Sequence, residues 1–265
     1  MASKSLQEHL PTLDLEELKL VGECHKKNRL LFAVKLKFFQ LKGRYPSKKD
    51  QIEPVFISCL AEQLEDNILL FKTSDLENRT AKRFRKTIRD FLGYKIASLK
   101  DAEDLILWLL EKAKNGPYTM PQYREKTYEY CKDNKLEPFS PKRTDRYIRR
   151  AINKFEKQFF QNIKNQLSSK SVNQINNLLH NDPDTESEVE TEDVITLRQL
   201  KLDVPGDKLK HVEFELKKIT FISKFLIPSS LFSGVSRKII QKYYERIMAA
   251  SPSNILEFAH AKRIG

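Results

Sequence analysis

Residues 26–49, KKNRLLFAVKLKFFQLKGRYPSKK, decide the fold of this chain. The stretch contains nine Lys or Arg and no acidic residue, yet it is strongly apolar. Its apolar side chains recur at spacings of three and four residues, which places them in two neighbouring sectors of a helix. The pattern predicts a central helix over residues 26–41 that is buried on most sides. The positive charges at its borders indicate that the element folds beside phosphate.

The positive charge of the chain is unevenly distributed. The 265 residues include 48 Lys or Arg and 36 Asp or Glu, a net charge of +12. Residues 1–170 hold 35 basic and 23 acidic side chains, whereas residues 171–265 hold 13 of each. A polyanionic partner for the first two thirds is one interpretation, because Lys and Arg that bind phosphates release condensed counterions. A solvated basic surface is the other, and charge alone does not separate them.

Composition favours an all-α protein. Only seven residues are Gly, and Lys, Glu, Leu and Ile recur at helical spacing throughout. No apolar run approaches the roughly 18 residues that a membrane span needs, and residues 1–8 lack a signal-peptide core. We therefore expect a cytoplasmic protein. Cys24, Cys59 and Cys131 are widely spaced and odd in number, so they are predicted to be reduced core residues without a disulfide or a zinc site.

The chain is predicted to have four parts. Residues 1–72 form a first helical domain with helices over 14–22, 26–41 and 50–64, and residues 73–170 form a second one. Residues 171–206 are a linker region, because seven of the twelve residues from 182 to 193 are acidic and none is basic. Residues 207–265 form a third helical segment whose balanced charge suits protein packing. The acidic run lacks the glycine and the terminal glutamate of a calcium-binding loop.

The second domain contains the best candidate for a recognition helix. Thr119 and Gln122 form a capping-box pattern that opens a helix over 120–134, which follows a Gly-containing turn as in a helix-turn-helix. Ser140 and Pro141 open a long helix that runs to about residue 167. Its first turn is basic, and a helix amino terminus offers free N–H groups to phosphate. The alternative is the solvated face of a long amphipathic helix.

Several segments resemble one family of bacterial proteins. Residues 28–46, NRLLFAVKLKFFQLKGRYP, are similar to the start of the Tn-three family of replicative transposases. Residues 88–94, IRDFLGY, resemble the family segment IREFLGF, and residues 231–236, LFSGVS, resemble its LFxGVS turn. Residues 55–64 are similar to an apolar helix of the same family. The resemblance spans nearly the whole chain.

The resemblance implies tandem helical domains that bind the terminal inverted repeats of a transposon. It implies a nucleoid-associated bacterial protein whose partners are duplex DNA, the remainder of the transposase and a possible second copy, with no membrane. No position matches the family's catalytic acidic triad, so we expect no catalysis, no metal and no cofactor from this chain. Metal-dependent strand transfer is expected of a carboxy-terminal part, and the chain is expected to be the front part of a longer polypeptide.

Exposed basic side chains of the predicted helices and turns are the candidate DNA contacts. The full set is Lys35, Lys42, Arg44, Lys48, Lys49, Arg79, Lys82, Arg83, Lys86, Arg124, Lys142, Arg143, Arg146 and Arg150. Of these, Arg143, Arg146 and Arg150 are expected to contact bases, and the members within 35–49 and 82–86 to contact phosphates. Two alternatives remain: a basic helical module that docks acidic proteins, and a non-specific nucleic-acid or RNA-binding module.

Overall fold

The computed structural model describes residues 10–180, 195–202, 208–258 and 262. Within these ranges the chain is all-α, as predicted, with a single isolated parallel bridge between Lys95 and Leu136. The α-helices are α1 (Leu15–Gly22), α2 (Lys26–Lys42), α3 (Pro54–Gln63), α4 (Arg79–Phe91), α5 (Leu99–Asn115), α6 (Met120–Asp133), α7 (Pro141–Gln166), α8 (Ser169–His180), α9 (Leu197–Lys201), α10 (Leu209–Ser223), α11 (Arg237–Ala249) and α12 (Pro252–Leu256). Two 3-10 helices, Ile68–Leu70 and Thr73–Glu77, lie between α3 and α4.

The chain divides into two compact units. The first unit consists of Met1–Leu105 and Met120–Arg146, and the second consists of Ile106–Thr119 and Tyr147–Gly265. The predicted four-part division stays a prediction. Its acidic run, residues 182–193, lies outside the described residues, and α8 occupies the beginning of the segment that was predicted as a linker.

Helix α2 is the centre of the first unit, as its sequence pattern predicts. It contacts α1, α3, α4 and both 3-10 helices. Every side chain from Leu30 to Leu36 is buried, and so are Phe38 and Phe39. The edge of the Phe32 ring meets Phe84 of α4, with 4.9 Å between ring centroids. Burial of this apolar surface is the main stabilising term for the unit.

A buried carboxylate joins α1 to α2. Asp14 caps α1 by accepting the Glu17 N–H, and Glu17 accepts the Asp14 N–H in return, which completes a capping box. The side chain of Glu17 is almost fully buried, and it also accepts a hydrogen bond from Gln40 at 2.7 Å and pairs with Lys37 at 2.5 Å. These partners satisfy a carboxylate that would otherwise be costly to bury.

The turn after α2 explains why α3 starts later than predicted. Asp50 was expected to open the helix, but its carboxylate accepts hydrogen bonds from the Ser47 N–H and hydroxyl and so closes the preceding turn. Helix α3 begins instead at Pro54, whose fixed φ and missing N–H suit the first helical position.

In the second unit, aromatic packing holds α11 against α7. Tyr243 stacks on Phe159 with 5.5 Å between centroids and meets the edge of Phe160 at 4.9 Å. Its hydroxyl donates to Glu156 at 3.1 Å. Buried Ile239 adds an aliphatic contact surface one turn earlier on α11. These contacts fix which face of α11 points outward.

Helix α2 ends at a glycine that has little room beside it. Gly43 has a φ of +64°, and a Cβ there would lie 3.2 Å from the carbonyl oxygen of Tyr128 in α6. We expect Gly43→Ala to lower the free energy of unfolding by about 2 kcal/mol or more, because left-handed φ alone costs an L-residue ~1–2 kcal/mol. Urea unfolding followed by circular dichroism measures the loss.

Gly93→Ala is the matched control. Gly93 has a φ of +68°, but a Cβ there would meet nothing within 4 Å. The control therefore reports the cost of φ alone, which we expect to be about 1–2 kcal/mol. Equal losses in the two variants would contradict the idea that the approach of α6 to Gly43 adds to that cost.

Candidate nucleic-acid interface

The turn after α2 presents two exposed lysines on a closed frame. Arg44 donates to both carboxylate oxygens of Asp50, at 2.9 and 2.5 Å. Burial would raise the pKa of Asp50, but the hydrogen bonds from Arg44 and Ser47 outweigh it and lower the pKa to about 2. The carboxylate therefore stays charged at neutral pH and keeps the turn closed. Lys48 and Lys49 lie exposed at its tip.

Arg44 itself has a structural role that the sequence did not predict. Its guanidinium lies over the Phe38 ring, 5.2 Å from the centroid, and over the Tyr128 ring, 5.8 Å away. Together with the two bonds to Asp50, these contacts hold Arg44 in place beside α6. A phosphate contact by Arg44 stays a prediction, as does one by Lys42, which is half-buried in the last turn of α2.

Lys35 is not part of any surface, and its assignment as a phosphate contact is wrong for this structure. The side chain is fully buried, and its ammonium donates to the carbonyl oxygen of Leu76 at 3.2 Å. Burial, assisted by the positive charge of Arg85, lowers the pKa of Lys35 to about 8, and Glu77 opposes this shift. Lys35 was predicted to be an exposed side chain of α2, but the 3-10 helix Thr73–Glu77 packs against the helix at this position.

Helix α4 turns four basic side chains outward. Asn78 caps the helix by accepting the Ala81 N–H at 2.7 Å, and Ala81 and Ile88 are buried on the opposite face. The exposed residues are Arg79, Lys82, Arg83 and Lys86. We call these four residues the α4 patch. Its first turn contains no acidic residue.

The α4 patch begins next to the turn that carries Lys48 and Lys49, which we call the lysine turn. The Lys48 N–H donates to Glu77, two residues before α4, at 3.4 Å. Arg85 and Arg89, which were not predicted to contact DNA, contact other residues of the first unit. Arg85 lies over the Tyr45 ring at 5.2 Å, and Arg89 pairs with Glu137 at 2.9 Å.

Helix α7 starts with a basic turn that α6 holds in place. Arg124 of α6 donates to both oxygens of Asp145 in α7, at 2.7 and 2.8 Å. Thr144 is buried one residue earlier, and its hydroxyl donates to the Phe139 carbonyl at 3.4 Å. Arg124 therefore positions α7, and its predicted contact with DNA stays a prediction.

The outward face of α7 is basic and lacks acidic residues. Its exposed basic members are Lys142, Arg143, Arg146, Arg149, Arg150, Lys154 and Lys157, and we call them the α7 face. Of the two carboxylates of the helix, Asp145 binds Arg124, and Glu156 accepts from Tyr243 and pairs with Lys262. Arg149, Lys154 and Lys157 were not among the candidate DNA contacts, although helical spacing places them beside Arg146 and Arg150.

The charge at the start of α7 opposes the helix dipole. The positive end of a helix dipole favours acidic residues by ~0.3–1 kcal/mol each, and cations there are disfavoured. Lys142 and Arg143 occupy this turn, and no acidic residue does. An anion that bound there would complement both the side chains and the unpaired N–H groups.

Other kinds of site receive no support from the described residues. In the ranges given above, no helix is long and apolar enough to cross a membrane. No group of three or more His, Cys, Asp or Glu side chains in those ranges could hold a metal ion. Cys24, Cys59 and Cys131 are free, and burial raises the pKa of Cys131 to about 12.

In a comparison with known families, one family model matches the first half of the chain. Residues 3–135 match the model of a family described as "Domain of unknown function (DUF4158)". The chain belongs to this family. The match covers half of the chain and includes α1 to α6, so the α4 patch lies inside the DUF4158 domain and the α7 face lies after it. No curated protein matches the chain.

Lys142→Glu is expected to change polyanion affinity and the stability of the fold in opposite directions. The substitution places a carboxylate in the first turn of α7, four residues before Arg146, where both the dipole and the new pair are favourable. We expect the free energy of unfolding to rise by about 0.5–1 kcal/mol while affinity for polyanions falls. Lys157→Glu makes the same charge change in the middle of α7, and we expect it to lack the gain in stability. Thermal unfolding and heparin-column retention measure the two effects, and a loss of stability in Lys142→Glu would contradict the prediction.

Lys35→Met tests the buried lysine through pH. The folded-state pKa of about 8 lies below the ordinary value of 10.5, so the unfolded chain holds the proton that the folded chain has lost in this window. Lys35 therefore makes the wild type more stable as pH rises from about 8 to 10.5. We expect the stability of the Met variant relative to wild type to decline across that window. Other titrating groups, such as Cys131, cancel in the difference.

Urea unfolding of both proteins along a pH series measures that difference. Lys48→Met, which removes an exposed lysine instead, is measured along the same series as the matched control. A constant difference for Lys35→Met would show that Lys35 has an ordinary pKa and is accessible to water.

Proposed function

We propose that this chain binds duplex DNA at transposon ends, as the amino-terminal part of a Tn-three family transposase. The observation that carries the proposal is the α7 face, a solvent-exposed row of Lys and Arg without a carboxylate, which starts in the first turn of a helix. Exposed arginines on a helix are suited to the major groove, where guanidinium groups pair with guanine edges. A helix amino terminus is suited to phosphate.

Family membership supports the same proposal. The DUF4158 domain is found in Tn-three family transposases. The segments 28–46, 88–94 and 231–236 resemble that family on either side of the domain's end at residue 135. In this proposal the remainder of the transposase supplies strand transfer, and the protein works at the bacterial nucleoid, where a second copy would hold the other transposon end.

The basic surfaces have different roles in the proposal. The lysine turn and the α4 patch consist of exposed lysines and arginines, and the α4 patch begins at the start of a helix. Such side chains suit contacts with the phosphate backbone. Arg143, Arg146 and Arg150 of the α7 face are proposed to contact bases. When two surfaces of one chain bind the same duplex, the overall affinity exceeds the affinity of either surface alone.

Titration with two duplexes across a salt series tests the proposal. One duplex carries the terminal inverted repeat of the element that encodes the chain, and the other is a scrambled sequence of equal length and composition. We expect preference for the repeat and a steep fall of affinity with salt. Arg146→Ala should reduce the preference by ~10–100-fold, because a good base contact discriminates by ~1–3 kcal/mol. Lys48→Ala should weaken both duplexes alike and reduce the salt slope by about 1.

Equal effects of both substitutions on both duplexes would contradict the division of roles. Equal wild-type affinity for the two duplexes would leave only a non-specific nucleic-acid-binding surface. A flat salt dependence would favour the second candidate, docking of a protein. The observation that favours it is the outward side of α10, where Leu209, Val212, Leu216 and Ile219 are each about half or more exposed.

A further inference from the structure

The last segment of the chain is less neutral than its overall count indicates. Residues 171–265 hold 13 basic and 13 acidic side chains, but seven of these acids lie in the run 182–193. Residues 208–265 alone hold eleven basic and four acidic side chains. The prediction that this segment has balanced charge is therefore wrong, because residues 208–265 carry an excess of positive side chains.

Three of these cations lie together on α11. The helix is anchored by buried Ile239 and by Tyr243, which binds Glu156 and stacks on Phe159. The helix also carries exposed Arg237, Lys238 and Lys242, which we call the α11 patch. The ammonium of Lys242 lies over the Tyr243 ring, 5.2 Å from its centroid.

The α11 patch lines an open groove. The groove has a volume of about 560 Å³ and is bordered by the three cations, Pro117, Gln241 and Glu245. Glu245 is the only carboxylate among these residues, and it accepts a hydrogen bond from Gln241 at 2.9 Å. Open access, three cations and one engaged carboxylate suit an extended anion better than a small enclosed ligand.

The start of α11 repeats a feature of α4 and α7. All three helices have basic residues and no acidic residue in their first turns. Arg237 and Lys238 lie at the positive end of the α11 dipole, where cations are electrostatically disfavoured. A phosphate at this position would relieve the repulsion and accept the unpaired N–H groups of the turn.

We propose that the α11 patch is an additional surface of this chain for the phosphate backbone of duplex DNA. The inference rests on the proposed function and extends it to a further helix of the second unit, beyond the DUF4158 domain. The patch contacts backbone and not bases, because its groove is shallow and open and its cations suit phosphates of any sequence. It therefore adds affinity to the repeat and to other duplexes equally.

A triple variant, Arg237→Gln with Lys238→Gln and Lys242→Gln, tests the inference. Its matched control is Lys210→Gln with Lys217→Gln and Lys224→Gln, which removes three exposed cations from the same unit near α10. Both variants keep the full chain, and circular dichroism melting confirms folding. Each is titrated with the repeat duplex and the scrambled duplex across a salt series.

We expect the α11 variant to bind both duplexes about 10-fold or more weakly and to lose about 0.9 from the salt slope for each phosphate contact removed. The control should keep nearly the wild-type slope. Hydroxyl-radical footprinting of the repeat should show local loss of backbone protection in the α11 variant alone. Equal slopes in the two variants, or an unchanged footprint, would overturn the inference while salt-dependent preference of the wild type for the repeat still stood.

A different experimental result would refute the proposed function itself. A wild-type chain without preference for the repeat and without salt dependence would refute DNA binding itself, whatever the variants do. Stronger competition by duplex RNA than by duplex DNA for the α11-dependent part of the affinity would also overturn the inference, since it assigns the patch to DNA.

Discussion

The first unit depends on the enclosure of α2. A helix that is buried on nearly every side needs neighbours in every direction, and α1, α3, α4 and the two 3-10 helices supply them. A polar atom enclosed in this way needs a hydrogen-bond partner, because a buried donor without an acceptor costs as much free energy as several good contacts contribute. Lys35 has such a partner in the Leu76 carbonyl, and Glu17 has partners in Asp14, Gln40 and Lys37.

The same enclosure divides the basic residues into two classes. Several cations are held by one specific carboxylate: Arg44 by Asp50, Arg89 by Glu137 and Arg124 by Asp145. Others are exposed on the lysine turn, the α4 patch and the α7 face. A net charge says nothing about this division.

Sequence spacing predicted the helices well and the fate of single side chains less well. The start of α7 after Ser140 and the burial of α2 follow from local patterns, because caps and apolar periodicity act within a few residues. The selection of Arg79, Lys82, Arg83 and Lys86 over Arg85 was also possible from helical spacing. The burial of Lys35 was not, because the element that covers it lies 41 residues away in sequence. The α11 patch was missed because charge was counted over a segment that included a distant acidic run.

One connection within the first unit joins the lysine turn to the first turn of α7. Gly43 and Arg44, at the end of α2, both lie against Tyr128 of α6, and α6 is joined to the first turn of α7 by Arg124 and Asp145. The lysine turn and the residues Lys142, Arg143 and Arg146 near the start of α7 therefore belong to one connected set of contacts in the first unit. If both parts bind one duplex, as proposed, inserting a single base pair between the two contacted stretches would rotate one of them relative to the other by roughly a tenth of a turn. Spacing within a terminal repeat would then carry information that neither stretch of sequence contains by itself.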